Sequence, residues 1–292
     1  MFGAKVDRSS GEQERVKIAP AILAWPFVVL VSFFGVPFYM LFRVSFAHFD
    51  PVVYMGTGWS YESYLALTQP FILEKMAFSL WLAISVAVVS ILVSFPATYF
   101  IVLQSKGAQV SWLVGLLATL AFSEVLITFA WQILMSRNAG ISNLFVRLGF
   151  LDKPVSLSPS FCAVVTCLSY VTIPLNVMAL YPGLSRLDPS LMEAARTLGA
   201  KPHRAFFNIL IPLMRKSIAT AFLMTIVFSV GAYVAPLVLG GPTNWTIGVV
   251  ISELAISAQN LPQAAAVSVL LLVATIALVV VVGKVGLKGQ MS

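Results

Sequence analysis

Five stretches of this chain run long enough without a single charge to hold a membrane-spanning helix, and a sixth is interrupted by one glutamate. They extend from Ile18 to Phe42, Met76 to Ser105, Pro154 to Ser185, Ser217 to Ser252 and Leu254 to Gly283; the sixth, Gly107 to Ser136, contains Glu124. A helix needs about 20 predominantly apolar residues to cross the hydrocarbon of a bilayer. Charged residues make up only 10% of the chain, against roughly a quarter in soluble domains. The expectation is an all-α, polytopic membrane protein with six transmembrane helices. The first stretch is longer than the apolar part of a secretory leader and five more follow it, so it is expected to stay as a span.

Cytoplasmic flanks of spans carry an excess of Lys and Arg, and that bias orients the chain. With the N-terminus inside, the inner set is Lys5, Arg8, Arg15, Lys17, Lys106, Arg186, Arg196, Lys201, Arg204, Arg215, Lys216, Lys284 and Lys288. The outer set is only Arg43, Lys75, Arg137, Arg147 and Lys153. Both termini are therefore expected in the cytoplasm, with residues 1–17 as a tail and 18–292 as the transmembrane domain. The same bias accounts for the net charge of +7 without a nucleic-acid partner.

Pro26 and Pro37 are expected to kink the first span. In the first outer loop, Tyr54, Trp59, Tyr61 and Tyr64 suit a membrane interface. Ile141, Leu144, Phe145 and Leu148 recur at helical spacing in the second, which predicts a short interfacial helix. Cys162 and Cys167 are five residues apart, off a common helical face, and read as small buried apolar residues.

The inner connection between spans four and five, residues 182–215, has its own helix signals. Asp188-Pro189 reads as an N-cap with proline at the first helical position, and Gly199 as a left-handed C-terminal cap. Pro202 starts a second helix, which Pro212 is expected to end or bend. Leu191, Ala194, Ala195 and Leu198 form an apolar strip beside Glu193, Arg196 and Thr197. Such a strip either packs back on the membrane domain or offers small side chains to the cleft of another protein.

Glu193-Ala194-Ala195, Gly199 six residues after the glutamate, and Ile209 with Ile211-Pro212 resemble the EAA motif of permease subunits of ATP-binding-cassette importers. The stretches "AWQILMSRNAGISNLFVRLGF", "SVGAYVAPLVLGG" and "IGVVISELAISAQNLPQAAAVS" extend the resemblance to spermidine/putrescine-type permeases over most of the chain. The resemblance implies a type I importer permease fold, with Glu193, Ala194, Ala195, Arg196, Gly199, Ile209 and Pro212 coupling the chain to an ATPase. It also implies a second permease subunit, two ATPases that bind ATP and Mg, an extracytoplasmic solute-binding protein and a bacterial inner membrane. The implied cargo is a polyamine or related cationic amine. The chain departs from the family at Glu124, where a small residue is usual, at Ile127, where arginine is common, and at Lys201, where a serine usually caps the second helix.

No G-x-x-x-x-G-K-[ST] or H-E-x-x-H occurs, so no nucleotide-binding loop or zinc protease motif is present and no cofactor or metal is expected in this chain. A carboxylate inside a span costs ~2.5 kcal/mol or more, so Glu124 should face a cavity or the bundle interior. Either it lines a pathway or it structures helix contacts. Gly231, Pro236, Gly240 and Gly241 predict a broken outer half for span five, a feature tolerated where a helix lines a cavity or is buried in protein. Ser229, Tyr233 and Asn244 are therefore candidates for the pathway, together with Trp131 in span three. The competing reading is a secondary transporter driven by an ion gradient, which would be expected to show internal repeats and discontinuous helices around a coupling ion.

Overall fold

Apolar runs of this length become helices wherever proline permits. The structure, a computed structural model, describes residues 25–50, 58–137, 140–150, 152–188, 190, 197 and 201–288. In chain order the main helices are α1 (Trp25–Ser45), α2 (Pro70–Val102), α3 (Lys106–Leu120), α4 (Glu124–Leu134), α5 (Gly140–Arg147), α6 (Phe161–Ser185), α7 (His203–Val230), α8 (Ile247–Ser257) and α9 (Leu261–Lys288). Among the described residues α1, α2, α6, α7 and α9 are each long and apolar enough to cross a membrane. α3 and α4 meet at 91° and reach the length and apolarity of a span only when taken together as one broken span. The sequence led to one straight span there.

Proline is absorbed in two of these helices by a local widening. Val31–Gly35 and Phe206–Leu210 are π-type turns, and each ends two residues before a proline, Pro37 and Pro212. A proline cannot donate to the carbonyl four residues back and its ring crowds that carbonyl. Widening the preceding turn relieves the crowding, and in α7 the Ile211 N–H bonds to Phe206 instead. The expectation that Pro212 ends the second helix of the inner connection is thus corrected. Residues 203–230 form one helix.

The second span also begins earlier than expected, at Pro70 rather than Met76. Its 33 residues make it about 50 Å long, which exceeds the ~30 Å hydrocarbon thickness. Glu74 and Lys75 therefore belong to the helix. Buried positions Ile72, Met76, Ser79, Ala83, Val86, Ser90, Ser94 and Thr98 recur every three to four residues and form one face. That face carries small hydroxyls, while Trp81, Leu92 and Val93 are exposed. The pattern inverts that of a soluble helix because the surroundings of a span are themselves apolar.

α2, α6 and α7 pack against one another and form the centre of the chain. Ser90 and Thr172 share a hydrogen bond of 2.7 Å, and the Thr225 hydroxyl donates to Asn176 Oδ1 at 2.8 Å. Interhelical bonds of this kind contribute on average ~0.6 kcal/mol in membrane proteins, so close packing must supply most of the cohesion. Gly183 shows how close it is: a Cβ there would lie 2.6 Å from Ser217 Oγ and 2.7 Å from Met214 Cε. One core cluster, around Leu82, Val86, Val164, Leu168 and Leu239, lies toward the long connections. A second, around Phe95, Leu180, Leu184, Leu210 and Met214, lies toward the short ones. α1 packs chiefly against α9.

At the long-loop end Phe46 meets Trp59, Tyr61 and Tyr64, with centroid distances of 5.9, 5.8 and 4.6 Å. α5 forms where periodicity placed it; Ile141 packs on the core, whereas Leu144 and Leu148 stay exposed. Cys167 is buried, but Cys162 is exposed, which corrects the expectation of two buried thiols. Phe161 begins α6 behind Ser160, so position 162 falls on the first, outward-facing turn.

Candidate functional site

The break between α3 and α4 contains neither glycine nor proline. α3 ends at Leu120, Ser123 is extended at φ −61° and ψ 135°, and α4 starts at Glu124. Serine followed by an acid is ordinary helix-start chemistry, since the macrodipole favours negative charge in the first turn. Ser123 makes no side-chain cap here. The chain therefore stops and restarts a helix inside an apolar run and delivers a carboxylate to the corner.

That corner opens on a cavity of about 290 Å³ whose walls include Thr119, Phe122, Glu124, Ile127, Tyr170 and Phe228. Glu124 Oε1 is buried and has no hydrogen-bond partner. Among the described residues no Lys, Arg or His lines the cavity. Trp131 stands edge-to-face with Tyr170, at 5.8 Å between centroids, and packs against the core cluster. Of the candidate pathway residues, Glu124 and Trp131 are thus joined through Tyr170. Ser229 follows the wall residue Phe228 in α7; it is fully buried and its hydroxyl has no partner.

Tyr233 and Asn244 do not line this cavity. They belong to a hairpin that follows α7, in which the chain turns back through Pro236–Gly240, passes Gly241 at φ +67° and runs through Pro242–Asn244 into α8. Asn244 Nδ2 donates to the Gly240 carbonyl at 2.9 Å. Lys75, which charge counting assigned to a loop, is buried and donates to the carbonyls of Pro242 and Thr243, both at 3.1 Å. Sequence reasoning missed Lys75, Tyr170 and Phe228. Only Lys75 left a signal, as a lone cation five residues into the helix that Gln69-Pro70 opens.

On the opposite end, Asp188 Oδ1 accepts the Ser190 N–H at 2.9 Å. Hydrogen bonds from the Ser190 backbone and side chain hold the Asp188 carboxyl below the usual carboxylate range. Glu193, Ala194, Ala195, Arg196 and Gly199 lie outside the described residues. Ile209 is half-buried and Pro212 exposed. Phe206 sits edge-to-face with Phe95 at 5.4 Å and with Tyr99 at 5.8 Å, which seats the start of α7 on α2. Among the described residues no three His, Cys, Asp or Glu side chains group as a metal site.

The sequence profile described as "Binding-protein-dependent transport system inner membrane component" matches residues 18–284. The chain belongs to this family. The permease is a multi-pass inner-membrane transport subunit rather than an enzyme. It is 26% identical over 250 residues to the spermidine/putrescine transport system permease protein PotB of Salmonella typhimurium strain SL1344, with 86% of each chain covered. PotB of Escherichia coli K12 is also 26% identical, over 86% of the permease and 90% of that protein. Its fold resembles a chain in the crystal structure of a bacterial alginate ABC transporter in complex with an alginate pentasaccharide-bound periplasmic protein. The TM-score is 0.69 at 16% identity, covering 98% of the permease and 99% of that chain.

Proposed function

We propose that the permease is one half of a heterodimeric translocator in an ATP-driven importer, fed by an extracytoplasmic solute-binding protein and driven by two ATPase subunits that bind ATP and Mg. The cargo is a small cationic amine of the polyamine class. The printed names of the PotB relatives support that class, and so does a cavity wall with one carboxylate and no base among the described residues. The short-loop end faces the cytoplasm, where residues 182–215, which take in the end of α6 and the first turns of α7, form the coupling segment and residues 1–17 the tail.

The observation that carries the mechanism is the continuity of α7. This 28-residue helix is about 42 Å long. The coupling segment runs into its first turns, and Phe228, a wall of the Glu124 cavity, stands near its other end. A tilt imposed through Glu193, Ala194, Ala195, Arg196 and Gly199 would therefore move the cavity wall without an intervening hinge. Ile209 and Pro212 sit at the widened turn that keeps the lever whole. Nucleotide-driven closure of the ATPases then exposes the cavity to the outside, and reopening exposes it to the cytoplasm, as alternating access requires.

The test is uptake of labelled spermidine by proteoliposomes holding the permease with its companion permease and binding protein, with and without the ATPases, beside proteoliposomes holding the permease alone. Uptake should require both ATP and the ATPases. Uptake by the permease alone under an ion gradient would overturn the proposal in favour of a secondary transporter.

A further inference from the structure

We infer that the cavity at the α3–α4 corner is a recognition site for one terminal primary ammonium group with its alkyl stem, with Glu124 as the counter-charge. This rests on the reading of the chain as an amine permease and adds that the membrane subunit itself, beyond the binding protein, selects the cargo.

Three observations point to that ligand. Glu124 Oε1 is buried with no donor, and a buried acceptor without a partner is rare enough to ask what satisfies it. The surrounding surface is aromatic and aliphatic, with Phe122, Tyr170 and Phe228 supplying rings and Ile127 and Leu175 aliphatic carbon. Ring faces attract an ammonium and apolar walls accept methylenes. The volume, about 290 Å³, lies at the small end of ligand sites, which fits one end of a di- or polyamine rather than its whole length.

The same wall argues against other solutes. A zwitterion or an anion would set its carboxylate against Glu124 with no basic group to meet it. A divalent metal would need several oxygen ligands, and among the described residues no group of three candidate ligands exists. A primary ammonium could also come from an ethanolamine lipid headgroup, because Tyr170 is 41% exposed and the cavity reaches the surface of the chain.

The experiment is the initial rate of labelled putrescine uptake by the whole importer in phosphatidylcholine vesicles, which contain no primary amine. Glu124→Gln should lower that rate about tenfold or more, as expected for loss of a charge-assisted bond. Glu124→Asp should retain at least a third of it. Ile127→Lys, which supplies an internal ammonium three residues along the same helix, should cost as much as Glu124→Gln. Neither Glu124→Gln nor Ile127→Lys should lower the unfolding temperature, which separates lost recognition from lost folding. Rates for both within threefold of wild type overturn the inference and leave the amine reading standing. A loss that occurs only when phosphatidylethanolamine is added assigns the site to lipid and also overturns it. A wild-type importer that carries a neutral or anionic solute but no amine overturns the amine reading itself.

Discussion

Among the described residues the permease interrupts its helical path at the α3–α4 corner and in the hairpin after α7, and treats the two interruptions oppositely. In the hairpin after α7, freed backbone groups are met by partners from other elements and from the hairpin itself. Lys75 caps the Pro242 and Thr243 carbonyls, Ser79 Oγ accepts the Ile247 N–H at 2.7 Å, and Thr246 donates to Ala232 at 2.8 Å. Ser160 N–H adds a bond to Leu239 at 2.9 Å. At the α3–α4 corner there is no side-chain cap, and a buried carboxylate oxygen is left over. Irregular backbone at membrane depth is tolerated where it is buried in protein or lines a cavity. The hairpin takes the first route and the corner the second, so the first is built for stability and the second for a visitor.

The largest expected effect breaks the hairpin. Lys75→Met removes two charge-assisted hydrogen bonds and orphans two carbonyls, which should cost ~3 kcal/mol or more. Thermal unfolding of the purified permease measures it, and an unchanged midpoint would mean that the hairpin does not depend on Lys75. At the corner the sign reverses. Glu124→Leu removes a carboxylate with no protein partner and should stabilise by ~2 kcal/mol, seen as a higher unfolding temperature. If it destabilises instead, the two interruptions are alike and the comparison fails. Next in size is Gly248→Ala, whose Cβ would lie 3.0 Å from the Ala232 carbonyl oxygen and 3.1 Å from that of Gly231. Backbone must shift to admit it, at a cost of about 1.5 kcal/mol.

The same contrast explains what was legible in the sequence. Six crossings follow from runs of apolar residues alone, because the bilayer leaves a helix of about 20 residues little choice. The α5 periodicity was legible for the same local reason, and Asp188, read as a cap, accepts the Ser190 N–H, while the helix it was expected to start lies outside the described residues. What escaped were features set by neighbours. Pro212 reads as an end or a bend, yet the widened turn Phe206–Leu210 just before it carries the helix through. Lys75 reads as a loop cation, because its carbonyl partners lie 167 and 168 residues away in the chain. The corner at Ser123-Glu124 did carry a signal, a cap residue before an acid, but it was overridden by the apolar run around it. Tyr170 and Phe228 as cavity walls were invisible, since nothing local marks an aromatic as facing a void.

The smallest effect decides where Asn244 belongs. Sequence reasoning set it beside Glu124 as a pathway candidate, whereas its amide is already engaged with the Gly240 carbonyl. Asn244→Ala should therefore cost about 1 kcal/mol of stability and leave putrescine uptake within twofold. Asn244→Asp sharpens the point, because the two roles give opposite signs. In a cationic pathway a new carboxylate would hold the amine better and change uptake. In the hairpin it would face the Gly240 carbonyl without a donor, so it should destabilise more than alanine does and alter uptake no further than that instability explains. Uptake that rises with Asn244→Asp at unchanged unfolding temperature would move Asn244, and the hairpin with it, to the side of the pathway.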